Sequence, residues 1–171
     1  VHRLTGIGTL SRPEHLQRIL NYWDKIRNSG LKWDQQKIDL INSLDTIVID
    51  EVSMLRRDQF ELIEAVLSFV REDPSPFGGI QMILVADMYQ LPPVVTTEDK
   101  NQYADLNRPY CFQSALWKSA NFKSFNLTTN YRQTDELFLE CLNKIRLGQV
   151  DDQVRQVLNS RVNCKLTGNP V

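Results

Sequence analysis

The chain has 171 residues, enough for one domain with a sizeable core, and its 42% hydrophobic and 24% charged content is the balance of a water-soluble fold. No apolar run approaches the roughly 18 residues that a membrane-spanning helix needs. Twenty basic against 21 acidic residues leave a net charge of -1, so any face for nucleic acid has to be local rather than global.

In chain order, Ser11-Arg12-Pro13-Glu14 reads as a capping box with Pro in the first turn. Leu16, Ile19, Leu20, Trp23 and Ile26 follow at helical spacing until Ser29-Gly30 ends the segment. A second short helix is expected over 34–43, with Ile38 and Ile41 inward. Residues 46–50 read as a buried strand, and 58–71 as an amphipathic helix behind an Asp cap. The two prolines and two glycines of "DPSPFGG" break that helix, and "IQMILVAD", 80–87, reads as a second buried strand. A long polar connection over 88–110 leads to a short helix at 112–120 and a third strand, "KSFNLTT", at 123–129. Thr134 is placed to cap a helix with Leu137, Phe138, Cys141, Leu142 and Ile145 on one face, stopped by Gly148, and a last helix covers 151–160. Strands alternate with helices, and the first two strands are apolar throughout, which predicts an α/β fold with a parallel sheet covered on both faces. Cys111, Cys141 and Cys164 form no CxxC or His/Cys cluster, which predicts reduced thiols and no zinc site.

Ligands of parallel α/β sheets collect beyond the C-terminal strand ends. Strand 46–50 ends in Asp50-Glu51. One carboxylate there can hold Mg²⁺ and its neighbour can deprotonate a water; a turn cap beside a solvated glutamate fits the same two residues equally well. The second strand runs into "ADMYQLPPV", where Leu91-Pro92-Pro93 stiffens the mount of Gln90. A glutamine both donates and accepts, so it can touch a γ-phosphate and a water together; a plain polyproline turn is the other reading. The third strand leads to "NYRQ", where Arg132 can pair with phosphate oxygens or with Asp135 or Glu136. Carboxylates, a glutamine and an arginine at three strand ends together suit an ATPase core.

These motifs carry a resemblance. "IVIDEVSML" resembles a Walker B motif of the D-E-(I/V)-S-M type. "PFGGIQMILVADMYQLPPV" resembles the segment leading into motif III of the PIF-type DNA helicases, "FNLTTNYRQTDELFLECLNKIRLG" their motif IV region, and "VHRLTGIGTL" the segment after motif Ia. The resemblance spans nearly the whole chain, more weakly over 11–44. It implies a RecA-like P-loop NTPase fold in a RecD-related superfamily 1 helicase, moving 5′→3′ on single-stranded DNA with ATP and Mg²⁺ and serving DNA repair, recombination and telomere maintenance. It would make Asp50 the Mg²⁺ ligand, Glu51 the catalytic carboxylate, Gln90 the γ-phosphate sensor and Arg132 a γ-phosphate ligand. His2, Arg3 and Thr5 would lie along the DNA path.

Two departures stand out. The family's usual Gly-Asp in motif III is Ala86-Asp87 here, and no GxxxxGK(S/T) phosphate loop occurs anywhere. The expectation is therefore a partial first motor domain over 1–171, inactive alone, with 162–171 beginning the linker to a second motor domain and the parent working inside the cell, in a prokaryotic cytoplasm or in a nucleus or mitochondrion. In such domains the phosphate-loop strand normally lies between the motif III strand and "FNLTT". Its loss predicts either local closure of the gap or pairing of strand edges with a second copy. The alternative is a degenerate RecA-like module that binds protein or single-stranded DNA without hydrolysis. Trp23, Trp33, Tyr89, Tyr103 and Tyr110 can stack on bases, but packing is the expected role of each, most clearly of Trp23.

Overall fold

A computed structural model describes residues 16–97 and 109–164; His2, Arg3, Thr5, Tyr103, the 11–14 capping box and the end of the expected linker lie outside them. The chain divides into two compact units, Val1–Lys123 and Ser124–Val171.

In the first unit, α1 (Leu16–Asn28) and α2 (Lys32–Asn42) precede β1 (Thr46–Ile49), α3 (Arg57–Arg71), β2 (Gln81–Leu84) and α4 (Ala115–Ser119). α1 and α2 bury most of the stripe their spacing predicts: Ile19, Trp23 and Ile26 on α1, with Leu16 and Leu20 half-buried, and Ile38 and Ile41 on α2. In the second unit, by contrast, the face expected over 137–145 buries only Cys141 and leaves Leu137, Leu142 and Ile145 exposed. α3 contributes Phe60, Leu62, Ile63, Val66, Leu67 and Val70, which join Ile47 and Ile49 of β1 in one core. Trp117 and Phe122 extend this core around Phe60 and Phe77, with ring centroids 4.9–6.5 Å apart.

Two arginines tie the first helices to α3. The Arg27 guanidinium donates to the carbonyls of Phe69 (2.8 Å) and Val70 (3.2 Å) and pairs with Glu72 at 3.0 Å. Arg71 donates to the carbonyls of Ile41, Asn42 and Leu44 at 2.9–3.2 Å, satisfying acceptors that the end of α2 leaves open.

β1 and β2 are parallel, paired Thr46↔Gln81 through Ile49↔Leu84, with α3 as the crossover. The sheet has only these two strands among the described residues, and one face of it is open: Val48 is 58% exposed and Ile83 43%. Double coverage is thus not observed. The pleat sends Ile47 and Ile49 to the helices, and no described helix covers the other side. Residues 123–130 form no strand either, and Phe125 and Leu127 are exposed. With no neighbouring strand among the described residues, the segment has no ladder to join. The expected sheet gap is accordingly not closed locally among the described residues.

Two caps also differ from expectation. The N-cap of α3 is Arg56, and Asp58 sits inside the first turn, gripped by Arg56 through Nε–Oδ1 (2.9 Å) and Nη2–Oδ2 (2.6 Å) contacts, both residues being buried. In the second unit, α5 (Glu136–Arg146) is capped by Asp135, which accepts from the Phe138 N–H at 3.0 Å, and not by Thr134. At the other end Gly148 terminates α5 as expected. Its φ is +71°, its N–H donates to Ile145, and that of Gln149 donates to Lys144. α6 (Asp152–Asn159) follows, capped by Asp151, whose other oxygen accepts from Lys144. Cys111 and Cys141 are buried, Cys164 is exposed and all three are free thiols. No helix among the described residues is long and apolar enough to cross a membrane.

"PFGG" is a packing device rather than a phosphate loop. Gly78 has φ +63°, and a Cβ there would lie 2.8 Å from the Leu67 carbonyl oxygen and 2.9 Å from Arg71 Cδ. Gly78→Ala is expected to lower unfolding free energy by about 3 kcal/mol through left-handed strain and overpacking, read by urea denaturation.

Candidate functional site at the strand ends

The backbone ladder runs past both strands. The Val85 N–H donates to Ile49 O at 2.9 Å, and the Val52 N–H returns to Val85 O at 3.0 Å. Asp50-Glu51 therefore leaves β1 at the same sheet end where Ala86-Asp87 leaves β2. Three of the four residues expected at strand ends, Asp50, Glu51 and Gln90, belong to this first unit.

Glu51 is the strained member. Its φ of 52° and ψ of 42° put a non-glycine side chain in the left-handed region, and its carbonyl accepts the Met54 N–H to start a short 3₁₀ turn, Val52–Met54. Asp50 is exposed, and one of its oxygens accepts the Glu51 N–H at 2.9 Å. Its bland role as a turn cap is thus present, using one carboxylate oxygen and leaving the second. Together with Val48, Ile49, Met54, Leu55, Gln59 and Ile63, the two acids line a concavity of about 330 Å³.

The turn after Glu51 is braced from behind. The Arg57 N–H donates to Pro109 O at 2.7 Å, Arg56 bridges Tyr110, and the Cys111 thiol donates to Val52 O at 3.6 Å. Burial pushes that thiol up from 9.0 to about 11, so it stays a neutral donor. Tyr110 stacks on Phe112 with centroids 5.0 Å apart, a packing role.

After β2, Asp87 organises the turn that carries Gln90. One of its oxygens accepts the Tyr89 N–H (3.0 Å), the other accepts from Gln90 Nε2 (3.2 Å), and its carbonyl accepts the Gln90 N–H (3.0 Å). The glutamine is exposed and aimed by Asp87, with its carbonyl oxygen left for another partner. Sequence reading placed Asp87 at the strand end three residues before Gln90 without giving it a role; that spacing is an Asx-turn pattern, and the role is to aim the glutamine. Ala86 is not among the left-handed residues, so replacing the usual glycine costs no backbone strain.

Arg132 lies in the second unit. The Asn130 side chain accepts the N–H groups of Arg132 (2.9 Å) and Gln133 (3.1 Å) and holds the turn that presents it. It pairs with neither Asp135 nor Glu136, since Asp135 serves as the helix cap.

No group of three or more His, Cys, Asp or Glu able to cage a metal occurs among the described residues. A single exposed Asp50 with one oxygen to spare instead suits Mg²⁺, which keeps several waters and takes the rest of its ligands from substrate phosphates. Because no lysine-bearing phosphate loop occurs in the 171 residues, these groups fit the metal-and-water half of a nucleotide site.

Comparison with known proteins identifies the family. Residues 19–156 match the family model for PIF1-like helicase. The chain is 31% identical to the ATP-dependent DNA helicase PIF1 of Danio rerio over 172 residues, covering 96% of this chain and 23% of that protein. It is 38% identical to the Rattus norvegicus ATP-dependent DNA helicase PIF1 over 160 residues, covering 94% and 22%. The fold superposes on Pif1 helicase from Bacteroides in complex with ADP-AlF3 and ssDNA with a TM-score of 0.77 at 27% identity, over 98% of this chain and 37% of that one. The chain thus spans under a quarter of the length of these curated relatives.

Two consequences are measurable on the chain itself. Glu51→Gly is expected to raise unfolding free energy by about 1 kcal/mol in urea titrations, because glycine relieves the left-handed backbone. Under native conditions iodoacetamide is expected to label Cys164 and spare Cys111. The Cys111 contribution to stability is constant below pH 9.0 and falls as pH rises toward about 11, where only the unfolded thiol ionises.

Proposed function

The chain belongs to the PIF1-like helicase family, and from that premise we propose that it forms part of the first motor domain of an intracellular, ATP-dependent 5′→3′ DNA helicase. The observation that carries the reading is the Val85 link. It sets Asp50 and Glu51 at one sheet end with the Asp87-aimed Gln90, the order in which a hydrolase needs a metal ligand, a base and a sensor.

Mg²⁺-ATP, when bound, supplies the phosphoryl group under attack and the charge that polarises it. Asp50 offers its remaining carboxylate oxygen to the metal. Glu51, held by a turn braced from behind, accepts the proton of the attacking water. Gln90 would use its free carbonyl oxygen to orient that water, with its amide group held by Asp87. Arg132, unpaired to its acidic neighbours, is the cation for γ-phosphate charge. The phosphate loop and a second motor domain belong to the parent protein in this reading, as do single-stranded and forked DNA as substrates. Residues 162–171 begin the connection to that second domain, and the chain alone is inactive. The open edge of β2 is also where a second copy would pair.

The test is ATP hydrolysis by the complete parent, with and without single-stranded DNA, beside Glu51→Gln, Gln90→Ala and Arg132→Ala. Strand-stimulated turnover that falls about a hundredfold or more in Glu51→Gln supports the assignment. A parent that neither binds nor hydrolyses ATP overturns it and leaves a binding module. Unwinding of a duplex with a 5′ tail in preference to a 3′ tail checks the polarity.

A further inference from the structure

α1 and α2 carry a face that the core does not use. On α1, Arg18, Tyr22 and Lys25 recur at i, i+4 and i+7 beside the buried stripe of Ile19, Trp23 and Ile26. On α2, Trp33, Lys37 and Leu40 repeat that spacing beside the buried Ile38 and Ile41. The two rows adjoin, because Lys37 Nζ lies 3.4 Å from the Tyr22 hydroxyl and 5.8 Å from the centre of its ring. Trp33 is 71% exposed and Tyr22 45%. A tryptophan left this far in water at a row shared with cations asks for a partner.

Charge narrows what that partner is. Across a chain of net charge -1, this face gathers Arg18, Lys25 and Lys37. Its one acid among the described residues, Asp34, is already paired with Lys37 at 3.2 Å. Asp24 and Asp39 fall on the far sides of their helices and are engaged by Asn28 and Gln35. Flat rings alternating with cations match a polyanion that has unstacked aromatic bases, and a duplex offers no such rings. The mount is preorganised as well, since Arg27 and Arg71 fix both helices to α3.

We propose that the outer face of α1 and α2 is a stacking surface for single-stranded DNA, with Trp33 and Tyr22 as base platforms and Arg18 and Lys25 as phosphate contacts. The choice of DNA as the strand rests on the motor reading; the face itself is independent of ATP.

The experiment titrates the 171-residue chain with a short oligo-dT strand, following tryptophan emission and the anisotropy of a labelled strand. Trp23 is buried and Trp117 half-buried, so quenching reports on Trp33. Expected are quenching in the unaltered chain, its loss in Trp33→Ala, and about tenfold weaker binding in that variant. Lys25→Ala is expected to reduce the slope of log affinity against log salt by about 1. Both side chains are exposed, so neither variant endangers the fold. Absent quenching, unchanged affinity in Trp33→Ala, or equal quenching by duplex DNA or polyglutamate overturns the proposal. Glu51→Gln is expected to bind the strand normally here while abolishing ATP hydrolysis in the parent. Failure of the motor reading and failure of this surface are therefore separate results.

Discussion

The pair of hydrogen bonds through Val85 is the constraint on which the rest of the molecule turns. One bond continues the β1–β2 ladder past its last register pair, and the other reaches back to Val52, beyond the two acids. Between them, Asp50-Glu51 has room for only a tight turn, and Glu51 takes the left-handed conformation to make it. Strain of this kind persists only where surrounding contacts over-determine the backbone. The Arg56–Asp58 pair, the Pro109 carbonyl and the Cys111 thiol all close on the residues just after that turn.

The helices serve the same turn from a distance. α3 begins where the 3₁₀ turn ends, and its far end is where Arg27 and Arg71 anchor α1 and α2. Gly78 lets the chain pass directly over α3 before entering β2. One helix therefore connects the acidic strand end, the second strand and the aromatic–basic face.

The helices and the first two strands were legible in the sequence because apolar periodicity marks a face; Ile38, Ile41 and Trp23 bury theirs, whereas Leu137, Leu142 and Ile145 of the 136–146 helix stay exposed. The third strand was not legible as absent. "KSFNLTT" has strand composition, but pairing depends on a neighbour that composition cannot report, and Phe125 and Leu127 stand exposed. The uniform hydrophobicity of β1 and β2 likewise suggested two covered faces where one is covered. Of the site, Asp50, Glu51 and Gln90 could be read as residue types at strand ends. The left-handed Glu51 is backbone geometry, which no spacing rule announces, whereas the side-chain grip of Asp87 on Gln90 is signalled by their three-residue spacing. Arg56 displaced Asp58 as the cap because a buried bidentate ion pair claimed that carboxylate.

The parallel register also dictates an order of folding. Thr46 and Gln81 face each other across 35 residues of chain. Closing that loop costs entropy before any ladder bond can reward it, whereas α3 assembles from neighbours three and four residues apart. The crossover helix is thus the natural nucleus, with the strands zipping afterwards from its two ends. Changes to the α3 core stripe should slow folding, while changes within β2 should chiefly hasten unfolding. The acidic turn, pinned by bonds to Val85 that form with the second strand, acquires its strained shape among the last events on the way to the native state.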